Sequence, residues 1–427
     1  MPAYDPLPDL LKAVPVVILT CRAGARLLRR VGQPPVVGEV VAGIALGPSL
    51  LGWLAPGVQH ALLPHAVLPF LTSMGNLGLL AFMFLLGLEL DLGTVRRSRG
   101  TAVSVSLASL LLPLALGAAV AVPMYNGVEH GQRSQLAFTL FIAVAMGITA
   151  FPVLARILTD RGMQHTPIGT LVLTCAAVDD IVAWCLLALV AAVSTDSDPQ
   201  KALLTGVLTV AFAAAMILLV KPLLARLAAR FERPAGAALM VVFFSGICLS
   251  ALATDRIGVH AIFGAFLFGV VAPRGYAPLE HAATQLRAFA VPVLLPMFFV
   301  GTGLNTDFSK LAADPTLWGW AAALLVVAVV GKWGGSSLAA RATGESWRDS
   351  LTIGALMNCR GLTELVVLNV GMQLGVITPE IFSVLVLITV ITTAAAAPAV
   401  DLLQRDRRRP QPPTPEPAAA PLAHQNS

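Results

Sequence analysis

Charge is scarce in this sequence. Asp, Glu, Lys and Arg make up 12% of its 427 residues, roughly half the share of a soluble globular domain. A chain that is also 57% hydrophobic, with a mean hydropathy of +0.81, lacks the polar surface that water requires. It is an integral membrane protein. The polar breaks between its apolar runs are short, leaving no room for a folded soluble domain before about residue 405. Cysteine is sparse too: Cys21, Cys175, Cys185, Cys248 and Cys359 lie inside apolar runs without metal-ligand spacing. They read as small core residues, with no disulfide and no bound metal. No cofactor fingerprint is present, because the glycine-rich GKWGGSS beginning at Gly331 lacks P-loop spacing and lies within an apolar run.

The N-terminus lacks the pattern of a signal peptide. Its acidic residues precede the apolar run and its arginines follow it, the reverse of a cleavable leader, so this segment is expected to remain as a first span. Residues 404–427, rich in Pro and Ala after a basic cluster, are expected to form a disordered cytoplasmic tail. The remaining chain, 1–403, is expected to be one transmembrane domain.

A span needs roughly 20 apolar residues to cross about 30 Å of hydrocarbon. By that measure thirteen segments are expected: 9–29, 34–53, 74–92, 101–124, 135–158, 167–194, 202–224, 235–254, 258–273, 284–304, 316–339, 349–372 and 379–403. With the N-terminus outside and the C-terminus cytoplasmic, 21 basic residues fall inside and five outside. That asymmetry follows the positive-inside rule, so the net charge of +5 calls for no nucleic-acid partner. Only Lys332 and Arg360 remain within segments.

The chain also resembles itself at an offset of roughly 210 to 220 residues. GLELDL from Gly87 parallels GLNTDF from Gly303, and GEVVAGIALG in the second segment parallels GVHAIFGAFLFG in the ninth. The parallel segments are separated by an odd number of spans and run in opposite directions. Inverted repeats of this kind are typical of secondary transporters, whose sites lie at the midplane where paired helices are interrupted. Two interruptions match. In FIAVAMGITAFPVLARIL, Pro152 removes a backbone donor beside Gly147 and Thr149. In LTIGALMNCRGLTELVVLNVG, Gly361 marks a break flanked by Asn358, Arg360, Thr363 and Glu364.

Between them lies LVLTCAAVDDIVAWCLLALVAAV, with Asp179 and Asp180 in mid-span. An ionisable group there costs several kcal/mol and reads as functional. Neighbouring helix positions point about 100° apart, so one carboxyl faces a cavity while the other turns to a neighbouring helix. Burial favours the neutral carboxyl, and a second carboxylate nearby adds to that preference. Proton and cation then compete for one group. A hard monovalent cation, Na⁺ or K⁺, would take carboxylate oxygen at Asp180, with Asp179 and carbonyls freed around Thr149 and Ala150 nearby. Arg360 either pairs with Glu364 or partners the aspartate not used for binding.

The segments GEVVAGIALGPSLLG, FMFLLGLELDL, ITAFPVLARIL, AAVDDIVAWCLLA, GVHAIFGAF, PMFFVGTGLNTDF and MNCRGLTELVVLNVG resemble, in order and over residues of about 35 to 400, the second branch of the monovalent cation:proton antiporter family. That branch includes plant cation/H⁺ exchangers and glutathione-gated potassium efflux systems. The resemblance implies an all-α fold with crossed broken helices and a homodimer. It also implies a moving core, about 101–194 and 316–403, against a dimerisation half. Asp180 is then the cation and proton carrier, and Asp179 its partner in an Asp-Asp signature associated with electrogenic exchange. Arg360 stands where the family has a basic residue, often lysine. The tail has no glycine-rich nucleotide fingerprint, so gating by nucleotide or glutathione is not expected.

Other polar residues have plainer readings. Glu39 suits an ion entrance or helix packing. Glu89 and Asp91, beside Arg96 and Arg97, read as interfacial charges, and His260 as a solvated mouth residue. Lys332 stands near the cytoplasmic end of its segment, where it can snorkel, with a place in the site as the alternative reading. Three other functions were weighed. A Na⁺-coupled organic-anion symporter shares the architecture. An intramembrane aspartyl protease needs two facing carboxylates on separate segments, which adjacent residues do not provide. A passive channel does not need paired broken helices. The expectation is a transporter, not an enzyme, in a bacterial inner membrane.

Overall fold

The structure, a computed structural model, describes residues 5–89, 100–128, 134–195, 199–230, 236–308, 311 and 314–404. Among them every regular element is helical. The chain begins with α1 (Leu7–Arg30), α2 (Pro35–Leu46) and, after short helical turns, α3 (Leu68–Glu89). Next come α4 (Gly100–Gly127), α5 (Gln135–Gly147), α6 (Phe151–Asp160) and α7 (Pro167–Thr195). The second half contains α8 (Leu204–Ala228), α9 (Gly236–Ile257), α10 (Ala261–Val271) and α11 (Ala277–Leu304). It closes with α12 (Pro315–Ala342), α13 (Trp347–Met357), α14 (Leu362–Gln373) and α15 (Pro379–Gln404).

Each expected segment has a helical counterpart, but the expected count of thirteen spans is not reached. Among the described residues ten helices are long and apolar enough to cross a membrane, or eleven when α13 and α14 count as one bent span. α10 is too short at 11 residues. α1 carries Asp9, Lys12, Arg22, Arg26, Arg29 and Arg30, too many charges for an apolar window. Of the expected tail only Gln404 is described, closing α15; residues 405–427 lie outside the described residues, as do Asp91, Arg96 and Arg97.

Side chains set where several helices begin. Ser134 caps α5 by accepting from the Ala137 N–H (3.3 Å), and Asp314 caps α12 by accepting from Thr316 (2.8 Å). Ser346 caps α13 through the Asp349 N–H (3.1 Å).

The helices pack in two groups. In one, α1 lies on α2, α2 on α11, and α3 on α10 and α11, with α9 against α10. Glycine permits the closest of these crossings: a Cβ on Gly38 would lie 2.4 Å from the Gly24 carbonyl oxygen. In the other group α4 packs on α5, α7 and α12, and α13 on α12 and α15. The interrupted pairs α5–α6 and α13–α14 both belong to this second group.

Candidate ion-binding site

Both interruptions fall where the sequence marks them, and they meet. After α5 the backbone is extended at Ile148 and Ala150 before α6 begins, with Pro152 in its first turn, where a missing N–H costs nothing. α13 ends at Asn358 and α14 starts after Gly361, with a 41° bend between them. Gly361 has φ +153°, and a Cβ there would lie 2.6 Å from Val153 Cγ2, so only glycine lets the strands cross this closely. The Ala150 N–H donates to the Cys359 carbonyl (3.0 Å), and Thr149 Oγ1 reaches the Met357 carbonyl (3.2 Å).

The crossing leaves helix ends buried, and Arg360 serves one of them. Its Nη1 donates to the Ala145 carbonyl and its Nη2 to that of Met146, each at 2.8 Å. These are last-turn carbonyls of α5, at the negative end of its dipole. Nη1 also pairs with Glu364, and both side chains are fully buried. Glu364 in turn lies in the first turn of α14, where negative charge is favoured. Of the two pairings open in the sequence, the structure places Arg360 on Glu364 rather than on an aspartate.

The two aspartates, both fully buried, have different surroundings. Asp179 turns to α4, where Ser106 Oγ donates to its Oδ1 (2.9 Å) and Ser109 Oγ to its Oδ2 (2.7 Å). Thr149 Oγ1 lies 3.0 Å from Oδ2, and Lys332 Nζ 3.5 Å from it. Asp180 has no such shell: neither of its carboxyl oxygens has a side-chain hydrogen bond. The backbone N–H of Phe151, in the first turn of α6, is the one donor directed at it among the described residues. The expected carbonyl of Ala150 accepts from Leu154 N–H (3.0 Å) as α6 begins. At the second break Asn358 Oδ1 and Thr363 Oγ1 are buried without a hydrogen-bond partner.

Sequence reasoning missed Ser106 and Ser109, and for Lys332 favoured snorkelling over a place in the site. Lys332 is fully buried rather than snorkelling, because it sits in a π-helical turn, Val329–Gly334, within α12. Such a turn re-aims a side chain and is frequent at functional sites. Its ammonium donates to Thr149 Oγ1. His260 is also more than a mouth residue, since its Nδ1 accepts from the Ile262 N–H (3.4 Å) and its Nε2 meets Gln373 Oε1 (2.9 Å). Glu89 pairs with Arg287. Glu39 is buried on α2. Two cysteines depart from the expected core placement: Cys185 is exposed and Cys248 half-buried, while Cys21, Cys175 and Cys359 are buried.

A family described as sodium/hydrogen exchanger, transmembrane, matches residues 16–401. The chain belongs to the sodium/hydrogen exchanger family. It is 39% identical over 394 residues to the Na⁺/H⁺ antiporter NhaS4 of Synechocystis, covering 92% of this chain and 96% of that one. It is 34% identical to cation/H⁺ antiporter 19 of Arabidopsis thaliana, over 95% of this chain and 51% of the relative. The chain thus spans about half the length of that plant relative. The solved structure of the sodium proton antiporter MjNhaP1 from Methanocaldococcus jannaschii superposes with a TM-score of 0.65 at 14% identity, covering 93% and 98% of the two chains. That likeness speaks for the exchanger fold. The organic-anion symport weighed from the sequence finds no support among these relatives.

Proposed function

We propose that this protein exchanges a monovalent cation, Na⁺ or K⁺, for H⁺ by competition of the two ions for Asp180. The observation that carries the proposal is the contrast between adjacent carboxyl groups. Asp179 is committed to two serine hydroxyls, Thr149 and Lys332, whereas Asp180 is buried with both oxygens free of side-chain partners. A carboxyl without a committed donor can take a proton or a hard cation, but not both.

In this reading Asp179 stays in place as the counter-charge to Lys332. A cation or a proton at Asp180 cancels the same single negative charge, so the pair is left in place by either ion. Thr149 connects the two, because its single hydroxyl proton serves either Asp179 or the Met357 carbonyl, and its oxygen accepts from Lys332. Arg360 and Glu364 hold the crossing together and do not ligate the ion. Asn358, Thr363 and Ala150 line the break and supply neutral oxygen. We further propose that the group containing α4–α7 and α12–α15 moves as a core against the other group, which forms a homodimer. The N-terminus lies outside a bacterial inner membrane and the C-terminus faces the cytoplasm.

The test is reconstitution into proteoliposomes bearing a pH gradient. Addition of Na⁺ or K⁺ dissipates the gradient for the unaltered protein, and Asp180→Asn abolishes that dissipation; exchange that survives the substitution removes the proposal.

A further inference from the structure

A cavity of about 290 Å³ lies apart from the aspartates, between α3, α11 and the start of α10 on one side and α14 on the other. Its polar lining includes Asn76, His260, Thr302, Asn305, Asn369 and Gln373, and none of its lining residues is Asp, Glu, Lys or Arg. Asn369 stands eight residues beyond Gly361, about 12 Å along the helix, so the cavity opens past the crossing on the side proposed as external.

The orientation of the Asn369 amide follows from its partners. Its Nδ2 donates to the Leu365 carbonyl (2.8 Å), which can only accept, and to Thr302 Oγ1 (3.0 Å). The Thr302 hydroxyl spends its own proton on the Phe298 carbonyl (3.1 Å), so it accepts from Asn369. Both amide hydrogens are thereby committed, and Oδ1 is left as an unengaged acceptor at the cavity wall. The side chains of Asn76 and Asn305 make no hydrogen bond among the described residues. Asn369 Oδ1 and the exposed, unconstrained amide side chains of Asn76 and Asn305 thus line one cavity. Its volume holds about ten waters at the liquid share of roughly 30 Å³ each.

We infer that this cavity is a second cation site, an outer vestibule that takes a partly hydrated alkali cation on the neutral amide oxygens of Asn369, Asn76 and Asn305. Hard cations take oxygen ligands, and a lining without formal charge holds the ion weakly enough to pass it on, as conduction through multiple sites requires. Too few protein oxygens are present to replace the whole hydration shell, so water completes it. The site spans the seam between the two helix groups, with the Asn369–Thr302 and His260–Gln373 bonds crossing it. It raises the cation concentration beside the carrier in one orientation only. The inference rests on the exchange reading and orientation given above.

The experiment compares cation KM at the two faces in oriented proteoliposomes, with Na⁺ and with K⁺, for Asn369→Leu, Asn76→Leu and Asn305→Leu. Loss of one oxygen ligand is expected to raise the outer-face KM by about five-fold and to leave the inner-face KM within about two-fold. The Asn76 and Asn305 variants break no hydrogen bond seen in the structure, so their effect is separable from misfolding. An outer-face KM unchanged in all three variants, or equal shifts at both faces, overturns the vestibule. Asp180→Asn run in parallel separates the two readings: if it abolishes exchange while the faces stay symmetric, only the vestibule fails.

Discussion

Lys332 Nζ lies 3.5 Å from Asp179 Oδ2, and both side chains are fully withdrawn from solvent. The pair joins α12 to α7, two helices far apart in the chain, and Thr149 of the first interruption bridges it. It fixes one carboxyl of the Asp-Asp dipeptide and leaves the other, Asp180, without a side-chain partner.

Breaking a buried pair by removing one partner leaves an uncompensated charge and costs roughly 3 to 5 kcal/mol. Lys332→Gln is therefore expected to lower the thermal unfolding midpoint in detergent. Adding Asp179→Asn removes the orphaned charge and recovers part of the loss.

Thr149→Ser keeps the hydroxyl that reaches Asp179, Met357 and Lys332, and is expected to retain turnover. Thr149→Val has the same shape without the hydroxyl. It removes the acceptor of the Lys332 ammonium and the one donor shared by Asp179 and the Met357 carbonyl, so exchange is expected to fall about ten-fold, equivalent to roughly 1.4 kcal/mol. Initial rates of gradient dissipation distinguish the two variants.

Arg360 makes three contacts with a planar fork, two to helix-end carbonyls and one to Glu364. An ammonium cannot reproduce that geometry. Arg360→Lys is expected to lower the unfolding midpoint while the folded fraction keeps its cation KM. A large KM change in well-folded Arg360→Lys would instead assign Arg360 to the ion.

Much of this arrangement was legible in the sequence because membranes make polar residues conspicuous. Asp179 and Asp180 stand out in an apolar run, and Pro152 and Gly361 mark the breaks because the one lacks a backbone donor and the other favours non-helical backbone. Lys332 was misread because its position near the end of a run suggests snorkelling, and the π-turn that redirects it has no sequence marker. Ser106 and Ser109 were invisible for another reason. Serine in an apolar helix ordinarily bonds its own backbone, as Ser109 also does at the Ser106 carbonyl (2.9 Å), and only packing of α4 against α7 brings these two within reach of Asp179. The span count failed at α1 and α10, where charge and shortness depart from the length rule though the helices are present.

The most direct measurement of the central claim is the apparent cation KM of the reconstituted protein as a function of pH. If proton and cation compete for Asp180, KM rises as pH falls, approaching about ten-fold per unit once protons dominate the site, and the maximal rate at saturating cation is unaffected. A KM that stays constant across the range while the maximal rate falls would place the proton and the cation on different groups and contradict the account.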